Sequence, residues 1–131
     1  TPAYTIEDAG GEVGEGGLRR AWYRRKRVRG SYKKLLPLAR QIRGMSVVEA
    51  MAQLTFSPKK RAEELRYALY RAATKAEFFH EMDPADLMVE EVLLEKGPMR
   101  RFHMRYHSRG RFGVNKIWDT RVKVVVREMT P

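Results

Sequence analysis

No cysteine occurs among the 131 residues. That excludes disulfides, zinc ribbons, iron–sulfur clusters and thiol catalysis together. No run approaches the roughly 18 uninterrupted apolar residues that a membrane-spanning helix needs, so no membrane insertion is expected. Glycines cluster at positions 10, 11, 14, 16 and 17. They resemble a phosphate-binding loop only in composition, because no Gly-Lys-Ser/Thr ending and no preceding strand accompany them. Histidine is scarce, at three residues. Of these, His103 and His107 have helical metal-ligand spacing but lie in an extended basic stretch. Neither a third ligand nor a carboxylate stands near. The carboxylates Asp83, Asp86, Glu90 and Glu91 have no nucleophile or base partner in sequence. The sequence therefore predicts no enzyme, no metal and no cofactor. The chain opens on Thr1, which reads as a processed or trimmed start, with no secretory or transit segment in view.

Acidic residues are also few where it matters. The chain carries 27 Lys+Arg against 16 Asp+Glu, a formal net charge of +11. Four of the acids, Glu7, Asp8, Glu12 and Glu15, stand in residues 1–17, which hold no base. Residues 1–18 thus read as a flexible, acidic, Gly-rich arm without a core of its own, and 19–131 as a single domain. From Gly17 to Val48 there is no acid, and again none from Lys96 to Trp118. These two windows contain 18 of the 27 bases. A solvated surface gains nothing from such self-repulsion, whereas a polyanionic partner does. Arg dominates both windows, and its planar fork grips phosphates bidentately. Trp22, Tyr23 and Tyr32 interleave the first window; Phe102, Tyr106 and Phe112 interleave the second. Cations mixed with aromatics are what RNA contact asks for.

The remaining residues supply a modest core. Residues 19–29 read as extended. Ser31 can cap a helix to about Arg43, with Leu35, Leu38, Ala39 and Ile42 on one face, Gly44 ending it and Pro37 kinking or loosening it. Ser46-Val47-Val48-Glu49 is a capping-box pattern that opens a short helix through Leu54. Its inward residues are Val47, Ala50, Met51 and Leu54. Ser57-Pro58 predicts a third helix from Pro58 to about His80, with a buried stripe of Ala62, Leu65, Leu69, Ala72, Ala73, Ala76 and Phe79. After Asp83-Pro84 the period becomes two, with Leu87, Val89, Glu91 and Leu93 on one face. Val122, Val124 and Val126 alternate near the end. The basic segment between these two strands is either a large loop or an extension of their hairpin. A hairpin that projects from the body is unstable bare in water and reasonable when sheathed in RNA.

Several ordered motifs carry a resemblance. Ile42-Arg43-Gly44-Met45-Ser46, Glu49-Ala50, Gln53-Leu54 and Phe56-Ser57-Pro58-Lys59-Lys60 come first, followed by Ala72, Ala76 and Glu77. Glu95-Lys96-Gly97-Pro98, Met99-Arg100-Arg101, Arg109-Gly110-Arg111 and the closing Val122 to Val126 complete the series. Together, over about residues 20–127, the chain resembles the universal large-subunit ribosomal protein family numbered twenty-two in bacteria. Arg43-Gly44-Met45-Ser46 and the stretch from Arg105-Tyr106-His107 to Phe112-Gly113 are similar to its mitochondrial branch. Lys75, Arg121 and Pro37 depart from the bacterial pattern.

The resemblance implies an α+β fold: three helices packed on a small antiparallel sheet, with a long protruding β-hairpin at about 87–127 and its tip at about 105–112. It implies a structural constituent of the mitochondrial large ribosomal subunit, in the matrix. Its implied partners are large-subunit ribosomal RNA, neighbouring large-subunit proteins and the nascent polypeptide in the exit tunnel. The rRNA-binding residues this implies are Arg19, Arg20, Arg24, Arg25, Lys26, Arg27, Arg29, Lys33, Lys34, Arg43, Lys59 and Lys60. The implied hairpin and tunnel residues are Met99, Arg100, Arg101, Arg105, His107, Arg109, Gly110 and Arg111. Two other readings share parts of the pattern: a free-standing basic RNA-binding protein or RNA chaperone, and a small nuclease working through His103 and His107. An electrostatic membrane-surface binder fits less well, since no amphipathic helix with bulky anchors lies in the basic windows.

Overall fold

The computed structural model describes residues 11–13 and 19–129. In chain order the elements are β1 (Gly11–Val13), β2 (Arg19–Val28), α1 (Tyr32–Ile42), α2 (Val47–Thr55), α3 (Ala62–His80), a 3₁₀ turn at Pro84–Asp86, β3 (Leu87–Tyr106) and β4 (Phe112–Glu128). The four strands form one antiparallel sheet in the order β1-β2-β4-β3. Three helices lie against this sheet, and β3 and β4 run on together past the body as a long hairpin, so the fold is α+β. Of the expected N-terminal arm, only Gly11–Val13 is described, as β1 paired to Ala21, Arg20 and Arg19; the rest lies outside the described residues.

One face of the sheet makes the core. Ala21 and Tyr23 of β2, Val122, Val124 and Val126 of β4, and Leu87 and Val89 of β3 meet the apolar faces of the helices. Helix α3 packs on β2 and β4, α1 on β3, and α2 on α3. The small residues Ala62, Ala68, Ala72 and Ala76, each 2% exposed or less, let α3 lie close to its neighbours.

Helix α1 runs as read, from a Ser31 cap whose Oγ accepts from the Lys33 N–H at 3.3 Å. It buries Leu35, Leu38, Ala39 and Ile42. Pro37 does not end it. The proline is exposed, so the hydrogen bond it cannot make falls on the solvent side. Gly44 follows with φ +83°, and its N–H bonds the Val89 carbonyl at 2.8 Å. The Val89 N–H returns to the Met45 carbonyl at 2.8 Å, tying the α1–α2 turn to β3. Ser46 caps α2 through the Glu49 N–H at 3.3 Å.

Three local expectations are corrected. Helix α3 begins at Ala62, not Pro58. Ser57 Oγ accepts from the Lys59 N–H two residues on, at 3.4 Å, which closes a local turn instead of capping a helix. Phe79 is 56% exposed, and His80, at 6%, takes the buried position after Ala76. The stripe advances by four residues there, in step with a 3.6-residue period. In β3, a bulge between Val89 and Glu91 reverses the alternation. One extra residue turns every following side chain to the other face, so Val92 and Leu94 pack on the core while Leu93 is 40% exposed.

Candidate nucleic-acid interface

The basic residues singled out on the body divide by what they touch. Arg19 is a structural tie. Its Nε donates to Glu128 Oε1 at 3.1 Å and its Nη1 to the His80 carbonyl at 2.6 Å, joining the start of β2, the end of β4 and the end of α3. Arg20 pairs with Glu90 at 2.9 Å. Arg25 pairs with Glu64 at 2.9 Å and lies over the Tyr67 ring at 5.1 Å. Hydrogen bonding to Arg19 holds the Glu128 carboxyl below its ordinary pKa, against the opposing pull of desolvation. These three arginines brace the sheet. Arg24, Lys26, Arg27, Arg29, Lys33, Lys34, Arg43, Lys59 and Lys60 are exposed.

Two clefts gather cations where the hairpin leaves the body. In one, of about 370 Å³, Lys34, Arg61, Lys96, Arg100 and Lys116 converge around Trp118 and Asp119. The Lys96 ammonium sits 4.1 Å from the Trp118 ring centre. Arg100 Nε is 3.8 Å from the buried Asp119 carboxylate. The other cleft, of about 860 Å³, is lined by Arg24, Arg25, Lys26 and Arg27 of β2 together with Arg121 and Lys123 of β4. Sequence reasoning missed Arg61, Arg121 and Lys123. They lie outside the acid-free windows, and only the β2–β4 register, with Arg24 opposite Lys123, brings the strand residues to the first set.

The junction itself is a bulge. Lys96 pairs with Thr120 and Met99 with Trp118, leaving Gly97 and Pro98 out of the ladder. Pro98 has no N–H to give a ladder, so a bulge suits it. Gly97 is buried against β4: a Cβ there would stand 2.8 Å from the Asp119 carbonyl oxygen. Opposite, Thr120 Oγ1 donates to the Gly30 carbonyl at 2.7 Å, anchoring β4 to the end of β2.

Beyond the bulge the register gives the arm two unlike faces. Phe102, Met104 and Tyr106 stand opposite Lys116, Val114 and Phe112. The alternate positions Arg101, His103 and Arg105 stand opposite Ile117, Asn115 and Gly113. One face is mainly apolar and the other basic. Tyr106 is 80% exposed and Phe112 61%, so no core covers the arm. At the end, Arg109 and Gly110 have φ of +63° and +68°, and the His107 N–H closes the turn onto the Arg111 carbonyl at 2.7 Å. Both left-handed residues fall within the tip expected at about 105–112.

His103 and His107 do not form a metal pair. Four residues of extended chain separate them by about 13 Å. Among the described residues no group of three His, Cys, Asp or Glu stands together. No described helix is long and apolar enough to cross a membrane.

A basic α+β body with a projecting, acid-free hairpin is the architecture of a protein that works inside a larger assembly. The sequence profile of the ribosomal protein L22p/L17e family matches residues 23–127, and the chain belongs to that family. Its role is that of a structural ribosomal protein, not an enzyme. Relatives include the large ribosomal subunit protein uL22 of Phenylobacterium zucineum, 39% identical over 102 residues, 77% of this chain and 79% of that protein. The uL22 of Caulobacter vibrioides is 38% identical over 103 residues, 78% of this chain and 80% of that protein. The uL22m of Xenopus tropicalis is 40% identical over 91 residues, 69% of this chain and 44% of that protein.

Proposed function

We propose that this chain is a structural constituent of the large subunit of the mitochondrial ribosome. Its body binds large-subunit rRNA through the two basic clefts and the exposed residues of β2 and α1. Its hairpin lines the nascent-peptide exit tunnel, with the tip at about 105–112 nearest the passing chain. Its neighbours are other large-subunit proteins. The observation that carries this reading is the arm: its residues from Met99 to Ile117 carry bases and no acid, and large apolar side chains on it are left open to water. Such a structure needs a sheath that supplies both phosphates and stacking surfaces. The mitochondrial branch is favoured by the similarity to the uL22m proteins of Xenopus tropicalis and Neurospora crassa.

The test is sedimentation of the tagged chain with mitochondrial ribosomes on a high-salt gradient. Stoichiometric recovery in the large subunit is expected. Deleting Met99 to Arg101 should reshape the tunnel, read by cross-linking of nascent chains to the tip, and still permit incorporation. A free or heterogeneous RNA-bound pool would overturn the ribosomal reading and leave a free-standing RNA chaperone. A deletion that never enters subunits would overturn the separate roles of body and hairpin.

A further inference from the structure

Apart from the hairpin and its root, one face of α3 forms a cleft with β2. Arg71, Thr74, Lys75 and Phe78 follow the i, i+3, i+4, i+7 spacing of a single helix face. With Phe79 and Tyr23 they enclose a cleft of about 400 Å³, within the range of small-molecule sites of about 300–1,000 Å³. Of these residues only Tyr23 belongs to an acid-free window, and the α3 residues were not singled out for RNA contact.

Three features define what the cleft can take. Its two phenylalanines are solvent-exposed, Phe78 at 79% and Phe79 at 56%. Its charges are of one sign. Four other clefts each have a carboxylate in their lining, from Asp119, Glu95, Glu81 or Glu63, and this one has none. Its cations have no carboxylate ion-pair partner among the described residues. Lys75 has no carboxylate partner among the described residues. Burial and then the Arg24 charge lower its pKa. Arg71 lies over the Tyr23 ring, 5.9 Å from its centre, which leaves the edge of the guanidinium to donate.

We propose that this cleft holds one unstacked nucleotide of RNA, its base against the exposed Phe78 ring and its phosphate between Arg71 and Lys75. A ring with an open π-face, such as Phe78, takes any base. Two cations one helical turn apart take the backbone beside it. A protein partner would cover the phenylalanines and leave the cations without anions unless it brought acids of its own. A duplex would satisfy the cations and leave the rings bare, because its bases are already stacked. Unstacked RNA satisfies both. The inference rests on the RNA-binding reading above and names a site beyond the hairpin and its root.

The test uses the intact chain and two RNAs of about 12 nucleotides per strand, long enough for a groove site: one single-stranded, one a perfect duplex. Phe78→Ala should weaken binding of the single strand by at least about 5-fold and leave its salt dependence unchanged. Phe78→Trp should keep the affinity. Lys75→Gln should reduce the slope of log affinity against log salt by about 1. Duplex binding should not respond to Phe78→Ala. So exposed a side chain makes few contacts, and unchanged thermal unfolding will check that these variants fold. Single-strand affinity unchanged by Phe78→Ala would overturn the cleft and leave the RNA-binding reading standing. Failure of the unaltered chain to bind either RNA would overturn both. In assembled large subunits, ultraviolet cross-linking of a nucleotide to Tyr23 or Phe78 would support the site. A protein neighbour captured there by a photoreactive residue at position 78 would overturn it.

Discussion

Replacing Gly97 with alanine should loosen the hairpin at its root. The added Cβ would meet backbone atoms only: the Asp119 oxygen at 2.8 Å, the Asp119 carbon at 3.0 Å and the Thr120 carbon at 3.2 Å. No side chain can swing aside, so β3 and β4 must part by about half an ångström to regain ordinary contact. Overpacking of this kind costs about 1–3 kcal/mol. Alanine recovers about 0.4–1 kcal/mol by restricting the unfolded chain. The net loss is then about 1–2 kcal/mol, or a fall of about 3–8 °C in Tm for a domain of this length. The parting is local, so hydrogen exchange should quicken more at the arm amides of 99–117 than in the core strands. Denaturant unfolding and exchange read by mass spectrometry measure the two parts. An unchanged or raised Tm, with unaltered arm exchange, would refute the argument that backbone approach is what requires glycine here.

Two further outcomes follow from the geometry. Glu128 has a depressed folded pKa, so its contribution to stability is fully present above the unfolded value of about 4.3 and is lost as pH falls through the folded value. Arg19→Gln should therefore lower the urea midpoint more at neutral pH than at about pH 3, the residue at low pH reporting the lost bond to the His80 carbonyl; a pH-independent difference would refute the pairing as its cause. At the tip, Arg109→Gly should tighten the turn and Gly110→Val should loosen it by about 1–2 kcal/mol, because both positions hold positive φ and only glycine adopts it without strain. Exchange protection of the His107 amide reads both changes, and equal protection in the two variants would contradict the turn geometry.

The elements that were legible in sequence are those whose signals are local. Ser31 and Ser46 cap helices because a hydroxyl and a backbone N–H two or three residues on are enough. Helix α1 was legible because four apolar residues repeat at helical spacing. The valines of β4 were legible because alternation marks a strand with one buried face. The Ser57-Pro58 signal misled because the same hydroxyl can close a turn that the helix does not continue. Phe79 was misplaced because a stripe read at i+3 or i+4 leaves two adjacent positions open at its end, and packing chose His80. The bulge after Val89 was hidden because nothing in a run of β-formers states which residue the partner strand will skip.

The candidate interface divides in the same way. Charge and acid-free windows are properties of the chain, and they sufficed to point to a polyanionic partner. They could not separate arginines that brace from arginines that remain open. Arg19 and Lys26 look alike in sequence, yet Glu128 is 109 residues from Arg19 and reaches it only because β2 and β4 pair. The two-faced arm follows from the pairing of β3 with β4, and the α3 cleft from the packing of α3 on β2. By itself the sequence determined the helices with clean periodicity, the strands with clean alternation and the clustering of positive charge, because each depends on neighbours along the chain. The tertiary structure alone decided which cations are spent on internal carboxylates, where the ladder breaks and which aromatics stay open, because each depends on residues that only folding makes neighbours.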